Sequence, residues 1–292
     1  MNTKINDLTD KINASLKSCF LDKPDLIKSV LDAEEYSLTG GGKRIRPLLI
    51  LLFCEACKGE YDSFIDISTS IEMVHCFSLI HDDLPCMDDD DYRRGKPSCH
   101  KQFGEATALL AGDALTFLAF ERISDGFKKN VIDSIKAIEL TDILSKAAGS
   151  YGMIGGQIID IESENKEITL DTLKELQSKK TGALISAACE MGCVLADRKD
   201  MIVYAKEYAY NLGLAFQIVD DILDVEGSFE KLGKPIGSDE KNNKTTFVSL
   251  YGLDKAKELA EGYTNAALNC LEHFEYSDAL KAFTVELLTR QN

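Results

Sequence analysis

The chain has 292 residues, 45% of them hydrophobic, enough to bury the core of one large domain. Its formal net charge of −16 argues against nucleic acid or an anionic membrane surface as partner. No uninterrupted apolar run is long enough to span a bilayer, and the start, MNTKINDLTDKINASL, has no signal-peptide core. Nine cysteines scattered through apolar helical patterns read as reduced thiols, so a cytoplasmic protein without membrane insertion is expected.

Helix follows helix along the chain. Residues 4–20 place Ile5, Leu8, Ile12 and Leu16 at helical spacing. Pro24 suits the first turn of a second helix, which the Gly40-Gly41-Gly42 run ends. Pro47 opens a third, apolar helix to about Lys58. Cys54 and Cys57 form a CxxC inside it, but no second pair or histidine completes a zinc site, so both read as packing residues. Asp62 to Asp83 predicts a long helix, apolar on most sides, that Pro85 stops or kinks. Further helices are predicted over 103–124, 131–148, 151–163, 170–179, 181–196 and 198–225. A polar segment, 227–243, reads as a functional loop, and helices over 253–274 and 277–290 close the chain. Strand signals are almost absent, and no repeat or linker divides the sequence. The expectation is an all-α single domain, 1–292.

Two acidic clusters carry the chemistry. The first, SLIHDDLPCMDDDDYRRGKP over 78–97, holds Asp82, Asp83 and Asp88 to Asp91, followed by Arg93, Arg94 and Lys96. Crowded carboxylates repel and favour a hard cation such as Mg²⁺, which keeps coordination positions for phosphate oxygens. A solvated acidic loop is the bland alternative. It is not a calcium loop, since Arg93 and Cys99 stand where glycine and glutamate are needed. The second cluster, FQIVDDILDVEG, carries Asp220, Asp221 and Asp224 in a mostly apolar helix. Asp220 and Asp224 are four apart and share a helix face. Carboxylates in such a setting are expensive without a cation, which favours the metal reading for both clusters. Asp82 and Asp88 are six apart, so they come together only if the helix breaks near Pro85.

The basic residues form a second set. GGGKRIRP over 40–47 sets Lys43 and Arg46 beside flexible glycines at a helix start, a suitable anion site, with an exposed basic turn as the alternative. It is not a Walker loop, because Arg44 follows the lysine. Lys180 and Thr181 lie where one helix is expected to end and another to begin. Lys234 and Lys244 fall in or beside the polar segment. His75 and His81 read, on their apolar helix, as core histidines.

GGGKRIRP, DDLPCMDDDDYRRGKP, KKTGALISAA and FQIVDDILDVEGSFEKLGKPIGSDEKNNKTT, in this order, resemble the trans-isoprenyl diphosphate synthases. The resemblance covers about residues 40–250. It is strongest to the bacterial farnesyl diphosphate synthases, whose first aspartate motif has two extra residues, as DDLPCMD has here. It implies an isoprenoid-synthase fold, with ten or so mostly antiparallel helices around a deep cavity, the two aspartate motifs facing one another, and a homodimer. Asp82, Asp83, Asp88, Asp220 and Asp224 would bind Mg²⁺, with about three ions per site. Arg93, Lys180, Thr181, Gln217, Lys234 and Lys244 would hold an allylic diphosphate. Lys43, Arg46, His75 and Arg94 would hold isopentenyl diphosphate. Asp82, Asp88, Lys180 and Asp220 would be central to catalysis.

The implied reaction is head-to-tail condensation of isopentenyl diphosphate with dimethylallyl or geranyl diphosphate. Phe77 lies five residues before Asp82, about 7.5 Å along the helix axis. In the resemblance an aromatic residue there stops chain growth at the farnesyl length; otherwise Phe77 simply packs between helices. Alternatives are a geranylgeranyl or geranyl diphosphate synthase, a terpene cyclase, and a non-catalytic subunit of a heteromeric prenyltransferase. A cyclase has no need of a second diphosphate site, and non-catalytic subunits have degraded aspartate motifs, whereas both are intact here. Arg290 near the C-terminus is a weaker candidate, as a cation on a lid.

Overall fold

A computed structural model describes residues 3–226 and 245–288. Its helices gather into two compact units: one comprises Thr3–Leu51 and Glu60–Thr141, the other Leu52–Gly59 and the chain from Asp142 onward.

The first unit is built on two long helices. Helix α1 (Thr3–Ser18) buries Ile5, Leu8, Ile12 and Leu16 on one stripe, each contributing about 2 kcal/mol of apolar burial. Helix α2 (Lys28–Thr39) follows, and α3 starts at Ile45, with Pro47 in its first turn, where a missing N–H costs nothing. Helix α4 (Ile65–Asp82) is buried along most of its length. Its hydroxyls bond to its own carbonyls, as Ser68 does to Ile65 (2.7 Å) and Ser70 to Ile67 (2.7 Å), so they enter the core without an orphaned donor. The stretch Asp62–Asp82 has the length and composition of a membrane span, yet 61% of its 18-residue apolar window is buried within the protein, as in a core helix.

Beyond α4 comes a feature the sequence concealed. Tyr92–Arg93 (β1) pairs antiparallel with Lys96–Pro97 (β2), and the turn between them has positive φ at both Arg94 (54°) and Gly95 (75°). That is the backbone of a type I′ hairpin, whose twist suits two short strands. The short helix α5 (Cys99–Phe103) precedes α6 (Glu105–Lys128), which packs along α4 and buries Ala108, Ala111, Gly112, Ala119 and Gly126. A methyl group on Gly112 would collide with the His81 ring, and one on Gly126 would lie 2.7 Å from Ile67 Cδ1. Small residues therefore set the spacing of this pair. Helix α7 (Ser134–Ala148) carries the chain onward.

The second unit contains α8 (Met153–Ser163), α9 (Leu170–Gln177), α10 (Ala183–Leu195) and α11 (Ile202–Glu226). After the undescribed segment come α12 (Phe247–Tyr251), α13 (Leu253–Cys270) and α14 (Asp278–Leu288). Leu173, Leu214, Ile218, Ile222, Phe247 and Ala256 form one core cluster. The Phe53 ring meets Tyr208 and Phe274 edge-on at 5.1 and 5.3 Å. Cys54 and Cys57 are buried, and Cys57 Sγ lies 3.8 Å from Cys193 Sγ. The expected break near Lys180 is absent. Ser178–Gly182 forms a π-helical turn that joins α9 to α10 without interruption. A one-residue bulge of this kind leaves no glycine or proline signature, and it often marks a functional site.

Candidate active site

In the first unit, α4 ends at Asp82 and the chain folds back at Pro85. The Asp88 amide donates to the Asp82 carbonyl (2.9 Å), and the Asp89 amide donates to the Leu84 carbonyl (3.2 Å). The break near Pro85 thus sets Asp88 beside Asp82, as the six-residue spacing requires. Asp88, Asp89 and Asp90 are exposed, and Asp82 is half-buried.

Asp83 differs from these. Its side chain is 3% exposed, and Arg93 Nε donates to Oδ1 (2.9 Å) and Oδ2 (3.2 Å) while Nη2 also reaches Oδ1. Burial pushes its pKa up and the guanidinium opposes that push. In this arrangement Asp83 seats Arg93, whose Nη2 also meets Asp90 at 3.2 Å. His100, buried beneath the acidic turn, lies 3.1 Å from Ser98 Oγ and 4.0 Å from Asp89 Oδ1.

The cations converge in the same unit. Gly41 and Gly42 have φ of 105° and 126°, backbone open to glycine alone, and a Cβ on Gly42 would strike Arg94 Cζ at 2.8 Å. The Arg94 guanidinium lies against this turn and donates to the Gly41 carbonyl. Lys43 is exposed at the same turn. Among the described residues, nothing hydrogen-bonds to the buried Nε of Arg46. Burial lowers its pKa to about 10, with Glu72 opposing and Arg94 adding to the effect. Burial, then Arg46 and Arg94, hold His75 well below the usual imidazole range, so it stays neutral. Arg46, Arg94 and His75 are thus mutual neighbours with more positive than negative charge, an arrangement that favours an anion. Phe77, 8% exposed, meets His81 edge-on at 5.7 Å.

The second unit holds the other set. Gln217, Asp220 and Asp224 lie three and four residues apart on α11, along one face. Asp224 is buried. Asp221 Oδ2 accepts the Phe247 amide (2.8 Å), which ties α11 to the point where the described chain resumes. Lys180 and Thr181 stand on the π-turn, and Lys180 Nζ contacts Asp160 Oδ2 at 2.6 Å. Asp160, on α8, escaped the sequence reading; a carboxylate set between Ile159 and Ile161 was its only signal. Gly156 lets α8 approach the Lys180 backbone, which a side chain there would block. Lys234, Lys244 and Arg290 lie outside the described residues.

Among the described residues, no three carboxylate, histidine or cysteine side chains gather closely enough to enclose an ion. The donors are nonetheless hard oxygens. Asp82 beside Asp88, and Asp220 a turn from Asp224, are the residues that would offer Mg²⁺ its protein oxygens.

Residues 27–283 match the polyprenyl synthetase family model. The farnesyl diphosphate synthase of Bacillus subtilis is 46% identical over 242 residues, covering 82% of this chain and 81% of its own. The chain belongs to the polyprenyl synthetase family. The geranylgeranyl diphosphate synthase of Cyanophora paradoxa is 44% identical over 249 residues, covering 84% and 82% of the two chains. A solved Helicobacter pylori geranyltransferase, complexed with magnesium and isoprenyl diphosphate, superposes with a TM-score of 0.85 at 34% identity, covering 98% of this chain and 95% of its own. As a polyprenyl synthetase the chain is a prenyltransferase that acts on isoprenoid diphosphates.

Proposed function

We propose that the protein is a farnesyl diphosphate synthase, condensing isopentenyl diphosphate with dimethylallyl and then geranyl diphosphate. The observation that carries the product assignment is Phe77, buried on α4 five residues before Asp82. Lys43, Arg46, Arg94 and neutral His75 hold the isopentenyl diphosphate. Arg93, Lys180, Thr181 and Gln217, with Lys234 and Lys244, hold the allylic diphosphate. Asp82 and Asp88, and likewise Asp220 and Asp224, hold Mg²⁺, which when bound supplies positive charge to the departing diphosphate.

The chemistry then follows from these side chains. Arg93 and Lys180 stabilise charge building on the leaving group as the allylic C–O bond breaks. Asp83 and Asp160 keep those two cations in place. The isopentenyl double bond, held by its own diphosphate, attacks the allylic cation, and the new carbocation loses a proton to the diphosphate just released. Apolar side chains around the hydrocarbon tails keep water from quenching either cation.

Incubation with Mg²⁺ and both substrates, followed by chromatography of the dephosphorylated products, tests the assignment. Farnesol is expected as the main product, EDTA is expected to abolish turnover, and Phe77→Ala is expected to lengthen the product. Geranylgeraniol from the unaltered protein would instead favour the longer-chain reading, which likeness to the Cyanophora enzyme supports. Absence of turnover would favour a non-catalytic subunit. We also propose that two copies pair. Phe117 (70% exposed) and Leu110 (57%) on α6, and Ile138 (69%) on α7, are large exposed apolar side chains that pairing would cover. Sedimentation at the mass of one chain would refute this. Nine free thiols fit a cytoplasmic location, which cell fractionation would check.

A further inference from the structure

We infer that Arg44 is a positioning residue that keeps Glu72 away from the anion site of Arg46, Arg94 and His75; the inference rests on reading that cluster as the isopentenyl diphosphate site. Arg44 is 3% exposed, and its φ of 51° lies in the left-handed region, which a long side chain adopts only where its surroundings fix it. Its guanidinium makes three hydrogen bonds. Nε donates to Asn13 Oδ1 (2.8 Å) on α1, Nη1 to Glu72 Oε1 (2.9 Å) on α4, and Nη2 to the Leu38 carbonyl (2.9 Å) on α2. A planar fork meets three fixed acceptors at once, whereas an ammonium on a flexible stem does not.

The electrostatics give this anchor its purpose. Glu72 stands one helical turn before His75. Its field reaches both Arg46 and Arg94, supporting the charged form of each against burial. It is therefore the carboxylate best placed to neutralise the site internally. Arg46 has an unpartnered Nε ready to receive it. With Glu72 held by Arg44, in a pair whose side chains are 2% and 4% exposed, the site keeps its excess positive charge for a diphosphate. Without Arg44, Glu72 would turn to Arg46 and compete with substrate.

Three variants test this: Arg44→Met, Glu72→Gln and the double variant. The first readout is binding of inorganic pyrophosphate by calorimetry in EDTA, where metal held by the aspartates makes no contribution. The second is KM for isopentenyl diphosphate against kcat. Arg44→Met is expected to weaken pyrophosphate and raise KM by about tenfold, with kcat at saturation little changed. Adding Glu72→Gln is expected to restore both to within about twofold, even though the double variant regains no stability. Wild-type binding and KM in Arg44→Met, or no recovery in the double variant, would overturn the inference and leave Arg44 a purely structural residue. If Arg44→Met fails to fold, Arg44→Lys replaces it, with an expected loss of about threefold that Glu72→Gln again reverses. Should the unaltered protein fail to condense the two substrates, the proposed function falls, but the pyrophosphate series still decides the role of Arg44.

Discussion

At Asp82–Asp88 the chain abandons its helix between the two carboxylates, while at Asp220–Asp224 the helix runs on to Glu226. The contrast follows from spacing. Residues four apart share a helix face without help, but residues six apart do not, so the first segment needs Pro85 and the return bond from Asp88 to Asp82. Each segment also spends one aspartate on support. Asp83 holds a side chain, Arg93, and Asp221 holds a backbone amide, that of Phe247. On the proposed reading, each cluster therefore divides into residues that face the metal and one that braces a neighbour, and proximity in sequence does not separate them.

The largest expected effect tests whether both segments serve the reaction. Asp82→Ala and Asp220→Ala should each lower kcat by about a thousandfold or more in steady-state assays with Mg²⁺. Near-normal turnover in either would remove that segment from the chemistry. Asp83→Asn addresses the bracing role and should cost about ten- to a hundredfold, with KM for the allylic substrate rising through a misplaced Arg93. A loss as large as that of Asp82→Ala would return Asp83 to the metal. Asp221→Ala should cost less, about 1 to 2 kcal/mol in urea unfolding and a few-fold in kcat, because the Phe247 amide loses a neighbouring acceptor rather than a metal its ligand.

A carboxylate from neither segment gives the baseline for burial without a cation. Glu34 on α2 is 4% exposed, and burial, with repulsion from Glu121, raises its pKa from 4.5 to about 7. Between those two values the unfolded chain releases the proton that the folded chain keeps, so stability falls as pH rises through the window. Glu34→Gln is expected to add about 2 kcal/mol at pH 8 and roughly nothing at pH 4, by thermal or urea unfolding, with activity unchanged. No pH dependence in that difference would show that Glu34 ionises freely in the fold.

Much of the fold was legible because apolar periodicity is a local signal. The Ile5 to Leu16 stripe, the buried run to Asp82 and the face of Asp220 and Asp224 all appear where the spacing places them. Three features were not. The 92–97 hairpin has no strand composition and is defined by the dihedrals of Arg94 and Gly95. The π-turn at 178–182 is a change of hydrogen-bond ring that leaves the residue pattern intact. Short α12 rests on a capping box at Thr246 and Ser249, with too few residues to show a period. In the site, the cations and aspartates were visible as types, but their pairings were not. Asp160 with Lys180, Asp83 with Arg93, and Glu72 with Arg44 each depend on tertiary contact.

The hairpin turn bears on how this protein would respond to engineering. Arg94 occupies a left-handed backbone position where asparagine or glycine is at ease, and a residue of its kind there costs about 1 kcal/mol. A campaign seeking thermal tolerance through turn statistics would choose this position early, and Arg94→Asn should indeed raise the melting temperature. It would also delete the guanidinium resting on Gly41 and Gly42, so on the proposed reading of Arg94 the hardier protein would be the poorer catalyst.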